Sequence, residues 1–110
     1  MFVSKVQPNI TVAISEGTVL TVQGNAAEVK SVVIENLDAA NTLTYKWQSS
    51  DDGSTWTDVA ASATLAPTEH IHADLSAHVY HRLRASGNLL ISVKVDVYQS
   101  FNNIFSFVNL

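Results

Sequence analysis

Two groups of side chains in this sequence are of the kinds that proteins use for chemistry. The first lies in the stretch SSDDGSTW, where the adjacent carboxylates of Asp51 and Asp52 stand among serine and threonine hydroxyls. Carboxylates in such a setting raise two possibilities, glycoside hydrolysis and calcium binding. The second group is His70-x-His72, whose spacing puts both imidazoles on one face of a strand and is used by zinc enzymes. Each group must be weighed against a structural interpretation.

The residue types of the first group favour a turn. Gly53 can take a positive φ, and the side chains of Ser49 and Asp51 can bond to the turn backbone. The spacing is similar to the Asp-box of sialidases, a hairpin turn remote from the catalytic groups and repeated along a much longer propeller. We therefore predict a structural turn that comprises Asp51, Asp52, Gly53 and Trp56. The alternative, a calcium site at Asp51, Asp52 and Asp58, would need six or more oxygen ligands.

The second group lacks a complete set of metal ligands. Zinc at His70 and His72 would need a third ligand and a supporting shell of hydrogen bonds. The candidates for that ligand are His78, His81, Glu69 and Asp74. The simpler interpretation is that these are exposed polar residues on a sheet face, with His81, on the same strand face as Val79 and Leu83, at the edge of the core. We predict no metal, no cofactor and, because no nucleophile elbow is present, no enzymatic activity.

Composition limits the classes of function. A chain of 110 residues forms one domain, and without cysteine it has neither disulfides nor a thiolate nucleophile. The formal net charge is −4 and the six basic residues are scattered along the chain, which argues against a nucleic-acid partner. No apolar run approaches about 20 residues and the first ten residues do not resemble a signal peptide. We expect a protein made in the cytoplasm that has no membrane partner.

Apolar residues alternate with a period of two almost throughout, which predicts strands. In TLTYKWQ and in HVYHRLRA followed by LISVKVDVY, one face is apolar and the other polar. The predicted core residues are Leu43, Tyr45, Trp47, Val79, Leu83, Val93 and Val95. Gly87-Asn88 is a two-residue hairpin signal. In residues 28–36 the alternation changes phase, which indicates either a bulge or two covered faces.

Seven or eight short strands with turn signals about every ten residues predict a single all-β domain, a β-sandwich with terminal extensions. We place the sandwich at residues 10–99 and an N-terminal arm at residues 1–9. Residues 100–110 form either an apolar C-terminal arm or an added strand. The arm would serve as an interface through Phe101, Ile104, Phe105, Phe107, Val108 and Leu110, because an uncovered apolar patch of that size is avoided by soluble monomers.

The stretch VIENLDAANTLTYKWQSSDDGSTWTDVA followed by VYHRLRASGNLLISVKVDVY resembles the small immunoglobulin-like domains of bacteriophage virion proteins. These include capsid decoration (cement) proteins and tail appendages. The shared elements are a strand ending in Glu35-Asn36, Trp47 on the third strand, the Ser49–Trp56 turn, and Tyr80-His81-Arg82 before Ser86-Gly87. The resemblance covers residues 28–98. It implies no catalytic residues, and the cysteines of antibody domains are absent.

The resemblance implies a non-enzymatic capsid decoration protein of the virion that binds the major capsid protein or another virion protein, and it suggests a homotrimer. Loops and terminal arms would make the contacts while the sandwich acts as a spacer. Two alternatives stay open. One is a tail-tube or baseplate component. The other is a carbohydrate-binding or adhesive module with exposed aromatic residues such as Trp56, Tyr80 or Tyr98.

Overall fold

The computed structural model describes residues 2–26, 28–98 and 105–108, and the side chains of Phe2 and Tyr98 are not described. These residues form two antiparallel sheets packed face to face, so the predicted all-β sandwich is confirmed. Among the described residues no helix is long and apolar enough to cross a membrane.

The first sheet has four strands and the second has six. In spatial order the first sheet contains β1 (Phe2–Val12), β9 (Leu89–Tyr98), β3 (Lys30–Asn36) and β7 (His70–Leu75). The second contains β10 (Ser106–Phe107), β2 (Gly17–Gln23), β8 (Tyr80–Ser86), β4 (Leu43–Ser50) and β5 (Thr57–Asp58), with β6 (Ala63–Leu65) also paired to β4.

The order of connections differs from that of an immunoglobulin domain, in which several successive strands form hairpins within one sheet. Here the described strands cross to the opposite sheet at every step except β4 to β5 to β6. Alternation of this kind is the connectivity of a jelly roll, the other common two-sheet Greek-key fold.

The core lies between the sheets and follows the predicted alternation. In β9, the strand between β1 and β3, the side chains of Ile91, Val93 and Val95 are fully buried. From the second sheet, Leu43, Trp47 and Leu83 are also buried. Tyr45 and Val79 are half-buried, and Tyr45 packs against the core from its rim. The two inner faces thus bury the apolar half of each strand.

Residues 2–9, which we expected to form an N-terminal arm, belong to β1. This strand pairs with β9 from Phe2 opposite Tyr98 to Val12 opposite Leu89. The register shifts between Gln7 and Ile10, where Asn9 has a φ of 53°. Lys5, Pro8 and this bulge obscure the alternation, because none of them fits a regular half-buried strand.

Gly87-Asn88 does not close the hairpin that its sequence predicts. It connects β8 in the second sheet to β9 in the first, and both residues have positive φ, 142° and 55°. Both N–H groups donate to the carbonyl oxygen of Ala13, at 3.0 and 3.2 Å. The same turn chemistry therefore serves a crossover between sheets.

The change of phase in residues 28–36 has a simple cause. β3 pairs in unbroken register with both neighbours, so it contains no bulge. Lys30, Val32, Ile34 and Asn36 are all buried on its inner face, while Val33 is half-buried on the outer face. A lysine and an asparagine thus occupy positions where an apolar residue was expected.

Substitution of Gly87 tests the crossover. A Cβ at this position would lie 2.7 Å from the carbonyl oxygen of Thr42 and 2.8 Å from the Leu89 side chain, at a φ that other residues rarely adopt. We expect Gly87→Ala to lower the free energy of unfolding by roughly 1–3 kcal/mol. The matched control is Gly17→Ala, because nothing lies within 4 Å of its Cβ position. Equal denaturant midpoints for the two variants would contradict the prediction.

Candidate functional site

The Ser49–Trp56 stretch is a turn held by the Asp52 carboxylate. Asp52 Oδ1 accepts hydrogen bonds from the backbone N–H groups of Ser54 and Thr55, both at 2.8 Å, and from Ser50 Oγ at 3.0 Å. These bonds lower the pKa of Asp52 to about 2, and the two bonds from backbone N–H groups contribute most. Ser50 Oγ accepts from Gly53 N–H at 2.9 Å, and Gly53 has a φ of 77°.

The turn differs from the prediction by one position. Ser50 and Asp52 make the bonds that we assigned to Ser49 and Asp51. Asp51 instead points outward, and its Oδ1 contacts His78 Nδ1 at 2.9 Å. The sequence contains both pairs at equal spacing, so only the backbone path distinguishes them.

Beside the turn lies an open polar depression of about 370 Å³. It is lined by Ser49, Ser50, Asp51, Asp52, Thr55, Thr57 and His78. The Asp51–His78 pair resembles the base half of a catalytic triad, which also needs a nucleophile bonded to the imidazole. None of the described hydroxyls hydrogen-bonds to His78, so the depression does not contain that arrangement.

The four histidines do not converge. His70 and His72 lie exposed on the outer face of β7, whereas His78, beside the turn, has its ring centroid 6.0 Å from that of the buried His81. His72 Nε2 contacts Ser31 Oγ at 2.8 Å and Asp74 Oδ1 at 3.4 Å. Over the described residues no three His, Asp or Glu side chains are placed to hold a metal ion. The structure therefore gives no support to a zinc site at His70 and His72.

Trp56 lies on the outer face of the second sheet in an aromatic and cationic cluster. The Arg82 guanidinium carbon is 4.2 Å from its ring centroid, and Tyr80 meets it edge-on at 6.4 Å. Arg82 Nε also donates to Gln48 Oε1 at 2.7 Å. Because Arg82 covers one face of the indole, a sugar stacked on that face would have to displace it.

The basic residues, scattered in the sequence, partly converge in the fold. Lys46 on β4 stands opposite Arg84 on β8, and Arg82 lies two residues before Arg84 on the same strand. Carboxylates accompany them, since Asp58 lies 3.5 Å from Lys46 and Glu16 lies 3.4 Å from Arg84. This outer face is a network of paired charges and not an open cationic patch of the kind that binds nucleic acid.

A buried polar contact joins the two sheets. Lys30 Nζ donates to the carbonyl oxygen of His78 at 2.7 Å and lies 3.1 Å from His81 Nδ1. Both side chains are at most 1% exposed. Since the ammonium can only donate, His81 Nδ1 accepts and the ring carries its proton on Nε2. That Nε2 is buried and has no hydrogen-bond partner in the described part of the chain.

Burial shifts the pKa of both groups. Loss of hydration lowers the pKa of Lys30 to about 8, partly offset by the charge of Glu28. Loss of hydration, followed by the adjacent Lys30 charge and then His78, lowers the pKa of His81 to about 3. At neutral pH the contact is therefore a buried ammonium bonded to a neutral imidazole. Alternation predicted His81 to face inward, but nothing in the sequence marked Lys30 as its partner.

The described part of the C-terminus forms an added strand, which is one of the two predicted alternatives. Ser106 and Phe107 pair with Gln23 and Val22 of β2. Phe105 is 1% exposed, so it is a core residue of this domain and not part of an interface arm. Phe107 and Val108 are half-buried and line a groove of about 470 Å³ between β1 and β2. The other predicted interface residues, Phe101, Ile104 and Leu110, lie outside the described residues.

The two edges of the first sheet differ in their protection. β1 carries three features that discourage further strand pairing: Pro8, the bulge near Asn9, and an inward-pointing charge at Lys5. β7 has none of these, and over the described residues its only partner is β3. Ile71, on the inner face of this strand, is 37% exposed. We call the unpaired side of His70–Leu75 the β7 edge.

Comparison with known proteins identifies the family. Residues 6–96 match the model of the family described as Domain of unknown function (DUF8696). The chain belongs to this family. No curated protein matches the sequence.

Two solved structures share the fold. A crystal structure of PirA matches with a TM-score of 0.54 at 18% identity, over 87% of this chain and 93% of PirA. A chain from the Bacillus endospore appendages, described as disulfide-linked pili, matches with a TM-score of 0.55 at 13% identity, over 88% and 84%. Neither these names nor the family description refers to a phage decoration protein. At such identities the likeness supports the sandwich and does not extend to function.

The turn is expected to depend on Asp52 and not on calcium. Asp52→Ala removes the acceptor of two backbone N–H groups and should lower the melting temperature by several degrees. Asp51→Ala is the matched control and should have a smaller effect, because among the described residues Asp51 bonds His78 and no backbone N–H of the turn. The wild-type melting temperature should be equal in millimolar calcium and in EDTA. A rise with calcium would reveal a bound ion.

The Lys30–His81 contact predicts a specific loss of stability in acid. Between pH 3 and 6.5 the unfolded chain binds a proton at His81 that the folded chain does not. The free energy of unfolding should therefore fall as the pH falls from 6.5 towards 3, by up to about 1.4 kcal/mol per unit. In the double variant Lys30→Met/His81→Leu this dependence should be weaker when measured by denaturant titration.

The two single variants provide the control at pH 7. Each leaves one buried polar group without its partner, at a cost of roughly 1–3 kcal/mol. The double variant removes both groups and should cost less than the sum of the singles. Additive costs would show that the contact does not couple the two residues, and an unchanged acid dependence would show that His81 is not the group whose protonation destabilises the fold.

Proposed function

We propose that this chain is a non-enzymatic structural subunit that assembles with copies of itself through the β7 edge. The observation that carries the proposal is the contrast between the two edges of the first sheet. Folded proteins normally protect exposed edge strands, because unpaired N–H and C=O groups recruit other strands. β1 is protected in this way and β7 is not. An unprotected, regular edge is consistent with a strand that is meant to be paired.

The polar features of the domain support a role without catalysis. The Asp51–His78 pair has no bonded nucleophile among the described residues, and no three His, Asp or Glu side chains among them are placed to hold a metal ion. In the Trp56 cluster, Arg82 is held by Gln48 and covers one face of the indole, so that face is not open to a ligand. One of the proteins with this fold builds pili, which are described as disulfide-linked. The present 110 residues contain no cysteine, so disulfides between them cannot hold an assembly together.

Narrower forms of the proposal differ in the particle that would contain the subunit. Decoration of a phage capsid, contact with its major capsid protein, and a place in a tail tube or baseplate follow from the resemblance alone. Co-sedimentation with purified virions would test them. The carbohydrate-binding alternative would gain support if a glycan perturbed Trp56 fluorescence and Arg82→Ala increased the effect.

The assembly edge is tested by placing a charge on it. Ile71→Lys puts an inward-pointing ammonium on the β7 edge, a device that natural proteins use to block strand addition. We expect this variant to weaken self-association at least about tenfold, equivalent to roughly 1.4 kcal/mol. The measurement is mass against concentration by light scattering or sedimentation.

Leu90→Lys is the matched control. Leu90 is 42% exposed, close to the 37% of Ile71, but it lies on β9 between β1 and β3 and has no free edge. It should associate as the wild type does. Melting curves establish that both variants are folded. Equal weakening in the two variants, or a wild-type chain that stays monomeric at all concentrations, would contradict the proposed function.

A further inference from the structure

Resting on the proposed function, we infer that two copies pair their β7 strands antiparallel about a two-fold axis at His72. The four-stranded sheets of the two copies would then join into one eight-stranded sheet. A two-fold axis at this position defines both the partner strand and its register, which the open edge alone does not. The resulting assembly is a closed dimer, not the trimer expected from the resemblance.

The backbone decides which residues can bond across the edge. Asn36 N–H donates to the carbonyl oxygen of Glu69 at 2.9 Å, so this pair bonds between β3 and the start of β7. Hydrogen-bonded and non-bonded pairs alternate along an antiparallel ladder. The backbone groups of residues 71, 73 and 75 therefore face β3. Those of His70, His72 and Asp74 face outward.

The side chains restrict the register further. In a continuous sheet, directly opposite residues lie on the same face of the sheet. A two-fold axis between the strands must therefore place one residue opposite its own copy, and cannot place two successive residues opposite each other. With the axis at His72, all three outward-facing residues are paired: His72 with itself, and His70 with Asp74 of the partner subunit. With the axis at Ala73, only His72 and Asp74 pair within the strand, because His70 would face Ser76 beyond its end. The first register satisfies more of the open backbone groups.

Side-chain chemistry is consistent with the axis at His72. On the outer face, His70 stands opposite the partner's Asp74 at two symmetric places, so that an imidazole meets a carboxylate twice. Asp74 is 65% exposed in the single copy, and its partners within the described part of the chain are Ser31 and His72. On the inner face, Ile71, which is 37% exposed in the single copy, would stand opposite the partner's Ala73, so that two apolar side chains meet there.

Single-cysteine variants test the register, because the chain has no cysteine of its own. With the axis at His72, the two copies of residue 72 have Cα atoms about 5.5 Å apart, within disulfide reach. His72→Cys should form a disulfide-linked dimer under mild oxidation, seen on a non-reducing gel. His70→Cys should not, because the two copies of residue 70 are about 14 Å apart along the strands. The double variant His70→Cys/Asp74→Cys should cross-link again.

The control adds Ile71→Lys to His72→Cys and should reduce the rate of cross-linking at least about tenfold. A dimer from Ala73→Cys but not from His72→Cys would overturn the register. If no variant cross-links while Ile71→Lys still abolishes association, the partner strand is a different edge, and this inference falls while the proposed function stands. A wild-type chain that remains monomeric would overturn both.

Discussion

The contact between Lys30 and His81 is the constraint on which the packing of this sandwich depends. It joins the two sheets through side chains that are at most 1% exposed, in positions where the alternation of both strands calls for apolar residues. A buried ammonium is tolerated only where acceptors surround it, and here they are the imidazole and the carbonyl oxygen of His78. The contact also fixes its surroundings. A Cβ on Gly24 would lie 2.9 Å from the Lys30 side chain and 3.5 Å from Phe105, so the loop and the C-terminal strand meet at this point.

The alternation of apolar and polar residues predicted which faces of the strands are buried, but not how the strands are connected. Alternation depends on burial alone, and it correctly located inner faces such as Val93 and Val95 on β9. It cannot identify the sheet that a strand joins. Gly87-Asn88 supplies two positive φ angles, and those angles suit a crossover between sheets as well as a hairpin. The prediction of an N-terminal arm was wrong for a related reason. Pro8 and Lys5 do not fit the pattern of a regular half-buried strand, but β1 pairs with β9 on both sides of the bulge between Gln7 and Ile10.

The candidate site was predicted less well than the fold. Its contacts depend on which of two neighbouring side chains points towards the turn, and the sequence does not determine this. The turn was expected, but its organising carboxylate is Asp52 and not Asp51. The approach of Lys46 to Arg84 and the cover of Arg82 over Trp56 arise from pairing between β4, β5 and β8. Long-range pairing of this kind has no local signature. Phe105 also lacks a local signature. An apolar residue near the chain end can belong to an interface or to the core of its own domain, and Phe105 is buried in the core beside Gly24, which has no side chain.

Strand protection connects these observations to assembly. An open sheet has two edges, and a protein that must stay monomeric has to protect both. In this domain the second sheet ends in strands of two or three residues, which offer little for pairing. The first sheet protects β1 with proline, a bulge and an inward lysine, at some cost to the regularity of its longest strand. No such cost is incurred at β7, where six residues keep an unbroken register with β3. Protection applied to one edge and withheld from the other is what a subunit needs when a single edge is reserved for a partner. A closed pair about a two-fold axis would leave no copy of that edge exposed.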